Sequence, residues 1–311
     1  MRYHFRFMAR RRLFMGLSGL LLAITVVSLI VQGLNFGVDF AGGVVLDYCY
    51  PKTVSVSQVR SVAASSGLSS ATIQQLGSNN GCGAGYVSQY VVSTTPIPDS
   101  QRLALTQAMT KTLGGEQISL NEVQPVIGQQ LRANALLAVG LATLLMVGYL
   151  AIRFEWRFAV AAVLALLHDI TLTIGLFSVF HLQVNSPFIA AVLTVYGYSM
   201  NDTVIVFDRI RERLRGRKRG ESLTGLIDTS INQVLNRTIN TVATVLLALL
   251  AVYIFGGGST QDLALALLVG VSFGTYSSIY IASPIYLYFA EQGKRNGSAD
   301  AGARSPRTAE V

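Results

Sequence analysis

Six apolar runs, each close to the length that crosses a bilayer, constrain this chain more than any other feature. They are residues 13–34, 133–152, 158–182, 187–207, 238–255 and 263–290. At ~1.5 Å of rise per residue, ~20 helical residues span the ~30 Å hydrocarbon layer. No water is available there, so each run must pair its own backbone N–H and C=O groups, and a helix does so within one segment. Charge usage agrees: 13% of residues are charged, against about 25% in soluble domains. The mean hydropathy is +0.48. The expected fold class is membrane α-helical, with six transmembrane helices.

Arg2, Arg6, Arg10, Arg11 and Arg12 precede the first run. A cleaved signal would have a shorter apolar region and a small-residue cleavage site. This run is longer and passes into Asn-Phe-Gly-Val-Asp-Phe, so residues 1–12 read as a cytoplasmic N-terminus and 13–34 as an uncleaved span. A net charge of +8 would suggest nucleic acid in a soluble protein, but its placement here points to membrane orientation and to no nucleic acid. Arg153, Arg157, Arg209 to Arg219, Lys294 and Arg295 fall on the same side as the N-terminus in a six-span plan. The other side has two short turns and the long stretch 35–131, with only Lys52, Arg60, Arg102, Lys111 and Arg132 nearby. The excess of Lys and Arg in cytoplasmic loops then predicts an inner-membrane protein of a bacterial cell with both termini cytoplasmic and 35–131 outside.

That long stretch is big enough for a small domain. A strand is expected at 43–50, a helix at 56–67 ended by Gly67, and strands at 71–76 and 86–93 around the turn-rich GSNNGCGAG. Asp99 is expected to N-cap a helix that sets Leu103, Leu105, Ala108, Met109 and Leu113 on one side and ends at Gly114–Gly115. A last strand is expected at 118–126. The order β-α-β-β-α-β is that of a ferredoxin-like α+β unit, here periplasmic. Outside the membrane Cys49 and Cys82 meet an oxidising compartment, where a disulfide and two unpaired thiols both remain open. They form no metal or redox pattern.

On the cytoplasmic side, 208–236 reads as a basic loop plus an amphipathic helix. Its Leu223, Leu226, Ile227, Ile231, Val234 and Leu235 are expected to lie at the membrane surface, beside arginines that meet anionic lipid. Residues 291–311 read as a cytoplasmic disordered tail.

Asp202 stands inside an apolar run, where a charged side chain costs at least ~2.5–3.5 kcal/mol. Tyr198 lies one turn earlier and Asn201 beside it. Arg237 opens the next span, followed on one face by Asn240, Thr241 and Thr244. Desolvation and a nearby guanidinium push a carboxyl's affinity for a proton in opposite directions. An Asp202–Arg237 pair whose separation changes can therefore load and release a proton, whereas a fixed pair would only lock helices together. Asp169, next to His168 near the middle of the third span, is open to a functional or a structural reading; His168 is expected to pack or hydrogen-bond. Ala266, Gly270, Gly274, Ser278 and Ala282 recur every fourth residue, a small-residue stripe for close packing within the chain or sliding against a partner. The chain lacks GxxxxGK[ST] and HExxH, so nucleotide-driven transport and zinc-type hydrolysis are unsupported and no enzyme is expected. The expected coupling ion is the proton, with no other cofactor and no metal.

FGVDFAGG at 36–43, YSMNDTVIVFDRIRE at 198–212, SINQVLNRT at 230–238 and GTYSSIYIASP at 274–284 resemble the SecF side of the SecD/SecF protein-export family, in the resistance-nodulation-division superfamily. The resemblance spans nearly the whole chain, in order. It implies a proton-motive-force-driven accessory that works with SecD beside the SecYEG channel on a translocating preprotein, with a YajC-type accessory subunit as a further partner. By it Asp202 matches the family's intramembrane Asp and Arg237 its Arg; Met200 replaces a common Val. A small-molecule or lipid efflux subunit and a purely structural translocon subunit are the rival readings.

Overall fold

The computed structural model describes residues 5–76, 82–218, 220–256 and 258–292. Residues 77–81 of the turn-rich loop, Arg219, Lys294, Arg295 and nearly all of the expected tail lie outside the described residues. Six helices are long and apolar enough to cross a membrane. They are α1 (Arg11–Val31, entered by a 3-10 turn at Met8–Arg10), α5 (Pro125–Arg153), α6 (Trp156–Val179), α7 (Ser186–Arg215), α8 (Leu223–Phe255) and α9 (Gly258–Ser277). A π-helical turn at Ser278–Ala282 follows α9, and helix resumes to residue 292. Around them lie short strands β1 (Asn35–Phe36) and β6 (Gln183–Val184), a one-turn helix α2 (Val38–Ala41), and a domain of β2 (Gly43–Tyr50), α3 (Val56–Ser65), β3 (Thr72–Leu76), β4 (Ser88–Thr94), α4 (Asp99–Leu113) and β5 (Glu116–Val123).

The domain sheet has the order β3-β4-β2-β5, antiparallel throughout, which is the ferredoxin-like arrangement. Alternation along β2 sends Val44, Leu46, Tyr48 and Tyr50 onto α3 and α4, where they bury with Val59, Val62, Leu105 and Met109. Ser55 and Gln58 close a capping box on α3. Cys49 and Cys82 form a disulfide with Cα atoms 5.9 Å apart. Two expectations for α4 fail. Its N-cap is Pro98, in extended backbone, and Asp99 is the first helical residue, paired with Arg102 at 2.8 Å. Leu103 is 57% exposed, because it lies off the face that carries Leu105 and Met109.

The junction between spans and domain explains the first motif. β1 pairs in parallel with β6, and the Asp39 carboxylate accepts the Ser186 N–H at 2.8 Å, satisfying a free donor at the start of α7. Gly42 and Gly43 have φ of +76° and +147°. A Cβ at Gly42 would sit 2.8 Å from the Pro125 backbone, and one at Gly43 would collide with the Thr94 carbonyl. The chain therefore turns from the first span into the sheet only where two residues lack side chains.

Three helix boundaries differ from the apolar pattern. Strand β5 ends at Val123 and α5 begins at Pro125, ahead of the run at 133, because proline at the first turn starts the helix and Gly128 packs on the Phe40 backbone. Helix α7 continues to Arg215 rather than ending near Phe207. Its charged turns are held from beside and from within the helix: Asp208 binds Arg153 of α5 at 2.7 Å, Arg209 binds Gln233 of α8 at 2.8 Å and Glu212 of its own next turn at 2.5 Å, and Arg213 binds Glu221 at 2.9 Å. The amphipathic segment and the fifth span form one helix, α8. Leu223, Leu226, Ile227, Ile231 and Leu235 bury in the helix-bundle core, so protein rather than lipid covers that face. Asp228 and Asn232 on α8 also bind the backbone of Met8 and Phe5.

Two measurements test this packing. Among the small-residue stripe, a Cβ on Gly270 would meet Val195 at only 2.2 Å, and one on Gly274 the Ser199 backbone at 2.9 Å. Gly270→Val should cost about 1–3 kcal/mol or more and lower the thermal survival of detergent-solubilised protein. Gly140→Val, with nothing within 4 Å, should behave as wild type. Cys49 and Cys82 should resist thiol labelling until reductant is added. Changing both to Ser should weaken the domain by about 2–4 kcal/mol, read as faster proteolysis of the 35–124 segment in the intact chain.

Candidate functional site

The polar residues inside the bundle converge on the packing of α6, α7 and α9. Asp169 on α6 is fully buried. One carboxylate oxygen pairs with His168 Nδ1 at 2.9 Å. The other accepts two hydroxyls at 2.6 Å, from Ser199 of α7 and Ser277 of α9. Asp202 on α7, 5% exposed, accepts the Thr275 hydroxyl of α9 at 3.0 Å. Thr203 and Ser278 bond at 2.9 Å just where α9 passes into its π turn. This close weave depends on the stripe: Ala266, Gly270, Gly274, Ser278 and Ala282 are all buried, and Gly270 and Gly274 lie against Val195 and Ser199 of α7.

The hydroxyls can point two ways. Thr275 Oγ1 lies 3.0 Å from Asp202 and 3.0 Å from the Val271 carbonyl. Ser277 Oγ lies 2.6 Å from Asp169 and 3.1 Å from the Gly274 carbonyl. Each hydroxyl carries a single proton, so it donates to the carboxylate or to its own helix, but not to both. A carboxylate facing such a rotor can be satisfied both as an acceptor and, once protonated, as a donor.

The expected Asp202–Arg237 pair is not formed. Among the described residues no hydrogen bond or ion pair joins them: Asp202 faces inward toward α9, while Arg237 is exposed. Asn240, Thr241 and Thr244 share the exposed face of α8 with Arg237. Tyr198 is 41% exposed and Asn201 is exposed, so neither joins the hydrogen bonds at Asp202. The reason is rotational. The α7 face that meets α9 carries Val195, Ser199 and Asp202, and Tyr198 falls beside it. Thr275, Ser277 and Ser199 were not singled out from sequence as ligands of the carboxylates. The signal available was the hydroxyl-rich run Thr275, Ser277, Ser278 within an apolar span.

Comparison with known proteins places this architecture. The profile described as "Protein export membrane protein SecD/SecF, C-terminal" matches residues 104–292, and "SecD/SecF GG Motif" matches 27–48, which contains Gly42 and Gly43. Protein translocase subunit SecF of Acidaminococcus fermentans is 39% identical over 292 residues, covering 94% of this chain and 99% of that protein. Protein translocase subunit SecF of Desulfurispirillum indicum is 36% identical over 293 residues, covering 92% of each. Protein translocase subunit SecDF of Bacillus subtilis is 34% identical over 295 residues, which are 94% of this chain and 39% of that one. The crystal structure of SecDF from Thermus thermophilus, described as translocon-associated, superposes with a TM-score of 0.81 at 34% identity, covering 93% of this chain and 39% of SecDF. With two profiles and near-full-length relatives in agreement, this multi-pass membrane chain belongs to the SecD/SecF family of protein export membrane proteins, among the SecF translocase subunits.

Proposed function

We infer that this chain is the SecF half of a SecD/SecF complex that uses the proton motive force to assist preprotein movement through the SecYEG channel, late in export across the bacterial inner membrane. The observation that carries this reading is Asp202. Its carboxylate is buried in the bundle, and the partner it has is the neutral Thr275 hydroxyl, with no cation among the described residues paired with it. A buried charge left this way is costly to keep, so proton binding there has a large energetic consequence.

Arg237, Asn240, Thr241 and Thr244 form a polar face at the start of the exposed, apolar part of α8. A second set of six spans supplied by a SecD-like partner would cover it. The fused SecDF relative and the SecDF structure, of which this chain matches 39%, support such a partner. Proton passage near Asp202, with Arg237 moving toward or away from it, would shift the helices and with them the domain held on Gly42–Gly43. One proton crossing 100 mV releases about 2.3 kcal/mol, enough to move a two-state equilibrium more than tenfold. The reading involves no enzyme chemistry, and protons are the coupling ion. The lateral ion pairs at the arginine-rich end fit a cytoplasmic face in contact with anionic lipid, and a YajC-type accessory subunit is compatible with the exposed helices.

Asp202→Asn keeps the size of the side chain and its Thr275 contact but removes the proton. Export in cells should fall about tenfold or more toward the level of a deletion strain, with the protein still present in the membrane and still copurifying with SecD. Normal export from this variant would leave a structural subunit as the reading. Normal export together with drug sensitivity in the deletion strain would point to efflux instead.

A further inference from the structure

His168 and Asp169 form a cluster that neither the family match nor the role inferred for Asp202 uses. Both are buried in the middle of α6, His168 being 5% exposed and Asp169 0%. The carboxylate is fully engaged, with His168 on one oxygen and two serine hydroxyls on the other. The ring is not. Its Nε2 is buried with no hydrogen-bond partner among the described residues. An imidazole nitrogen is either a donor or an acceptor, and leaving it unpaired in an apolar interior is costly in either state. Most buried polar atoms avoid this, so an orphaned one points to a missing ligand.

We propose that His168–Asp169 is a second proton-binding site of this chain, distinct from Asp202, and that the proton arrives at His168 Nε2. With Nδ1–H donating to Asp169, the empty site is a neutral ring beside a carboxylate, carrying one negative charge. A proton added at Nε2 makes an imidazolium–carboxylate pair with no net charge. No other bond changes, and the proton leaves by the same nitrogen. A neutral pair is the form that an apolar bundle tolerates better, so gain and loss of this proton has a mechanical consequence for the helices that hold it.

Those helices are shared with Asp202. On α7 Ser199 precedes Asp202 by less than a turn, and on α9 Thr275 and Ser277 are two residues apart, so both carboxylates touch the same stretch of α9. That stretch runs directly into the π turn at Ser278–Ala282. Such turns interrupt the regular hydrogen-bond ladder and recur at functional sites. The other groups facing the pair are few. Helix α9 presents Tyr276, whose ring centroid is 6.3 Å from that of His168. Helix α7 presents Ser199 and, a turn on, Asp202. Helix α1 offers the uncharged Ser18, Thr25 and Ser28, buried among its neighbours. On α5 the titratable groups are Arg132, stacked over Phe36, Tyr149, and Arg153, paired with Asp208. Among the described residues no Lys or Arg pairs with the cluster to compete with the incoming proton.

The proposal stands whether or not the export reading of Asp202 holds, because its readout is proton binding rather than transport. The test is a titration of the ¹⁵N-histidine-labelled full-length chain, copurified with its SecD-like partner. The chain has three histidines, and the His168 signals are assigned by their loss in His168→Gln. The ring of His168 should take up and give back a proton at Nε2 within the pH range over which the purified complex stays assembled. Asp169→Asn should move its midpoint by about one unit or more, since the partner charge is gone. Ser277→Ala, which leaves every charge in place but takes a donor from the carboxylate, should move it in the opposite direction by a smaller amount, and serves if the Asn variant does not assemble. A ring that stays in one protonation state over that range overturns the proposal, as does a midpoint unmoved by both substitutions.

Discussion

The bundle depends on how closely α7 and α9 approach. Glycine at 270 and 274 lets the α9 backbone reach Val195 and Ser199, at a separation where any side chain would collide. Only at that distance can the hydroxyls of Thr275 and Ser277 reach carboxylates on α7 and α6. A wider gap would leave two acids in an apolar interior without donors, which costs more than the apolar packing returns. The small-residue stripe and the polar cluster are thus one device. Backbone proximity is what permits the hydrogen bonds, and the hydrogen bonds are what permit the charges.

A second consequence follows from which faces are left over. Helices α5 and α8 bury little of their apolar length against the rest of the chain, while α6, α7 and the last span are half or more buried. The buried trio carries the acids and the exposed pair carries Arg237 with its polar neighbours. Two parts that would work against each other in a proton-driven motor lie on different surfaces of the same subunit. Bringing them together requires a movement within this chain or a partner covering α8, and the SecDF proteins contain additional chain beyond the portion matched here.

The domain is joined to this bundle by a short, stiff path. Asp39 ties the connection to the start of α7, and the paired glycines turn it into the central strand of the sheet. Across the sheet, β5 leads after one residue into α5. Both ends of the domain are therefore clamped to membrane helices, so a rotation of α5 or α7 reaches the sheet without a flexible linker to absorb it.

The spans, the β-α-β-β-α-β order and Asp202 as an anomaly were all legible in the sequence. Apolar length, period-two alternation and a carboxylate in an apolar run are local signals, set by a bilayer's thickness and a strand's pleat. Helix ends were less so. Arg209 to Arg215 look like loop because they are charged, yet they stay helical through the Arg209–Gln233 and Arg213–Glu221 pairs, which are visible only once α7 and the start of α8 are side by side. The partners of the acids were also hidden. Tyr198 and Arg237 had the right spacing along their own helices, but spacing does not fix how far each helix is rotated toward its neighbour. Tertiary packing turned Ser199 and Thr275 inward and left Tyr198 and Arg237 outward, because the close contact at Gly270 and Gly274 admits only one rotation of α7 against α9.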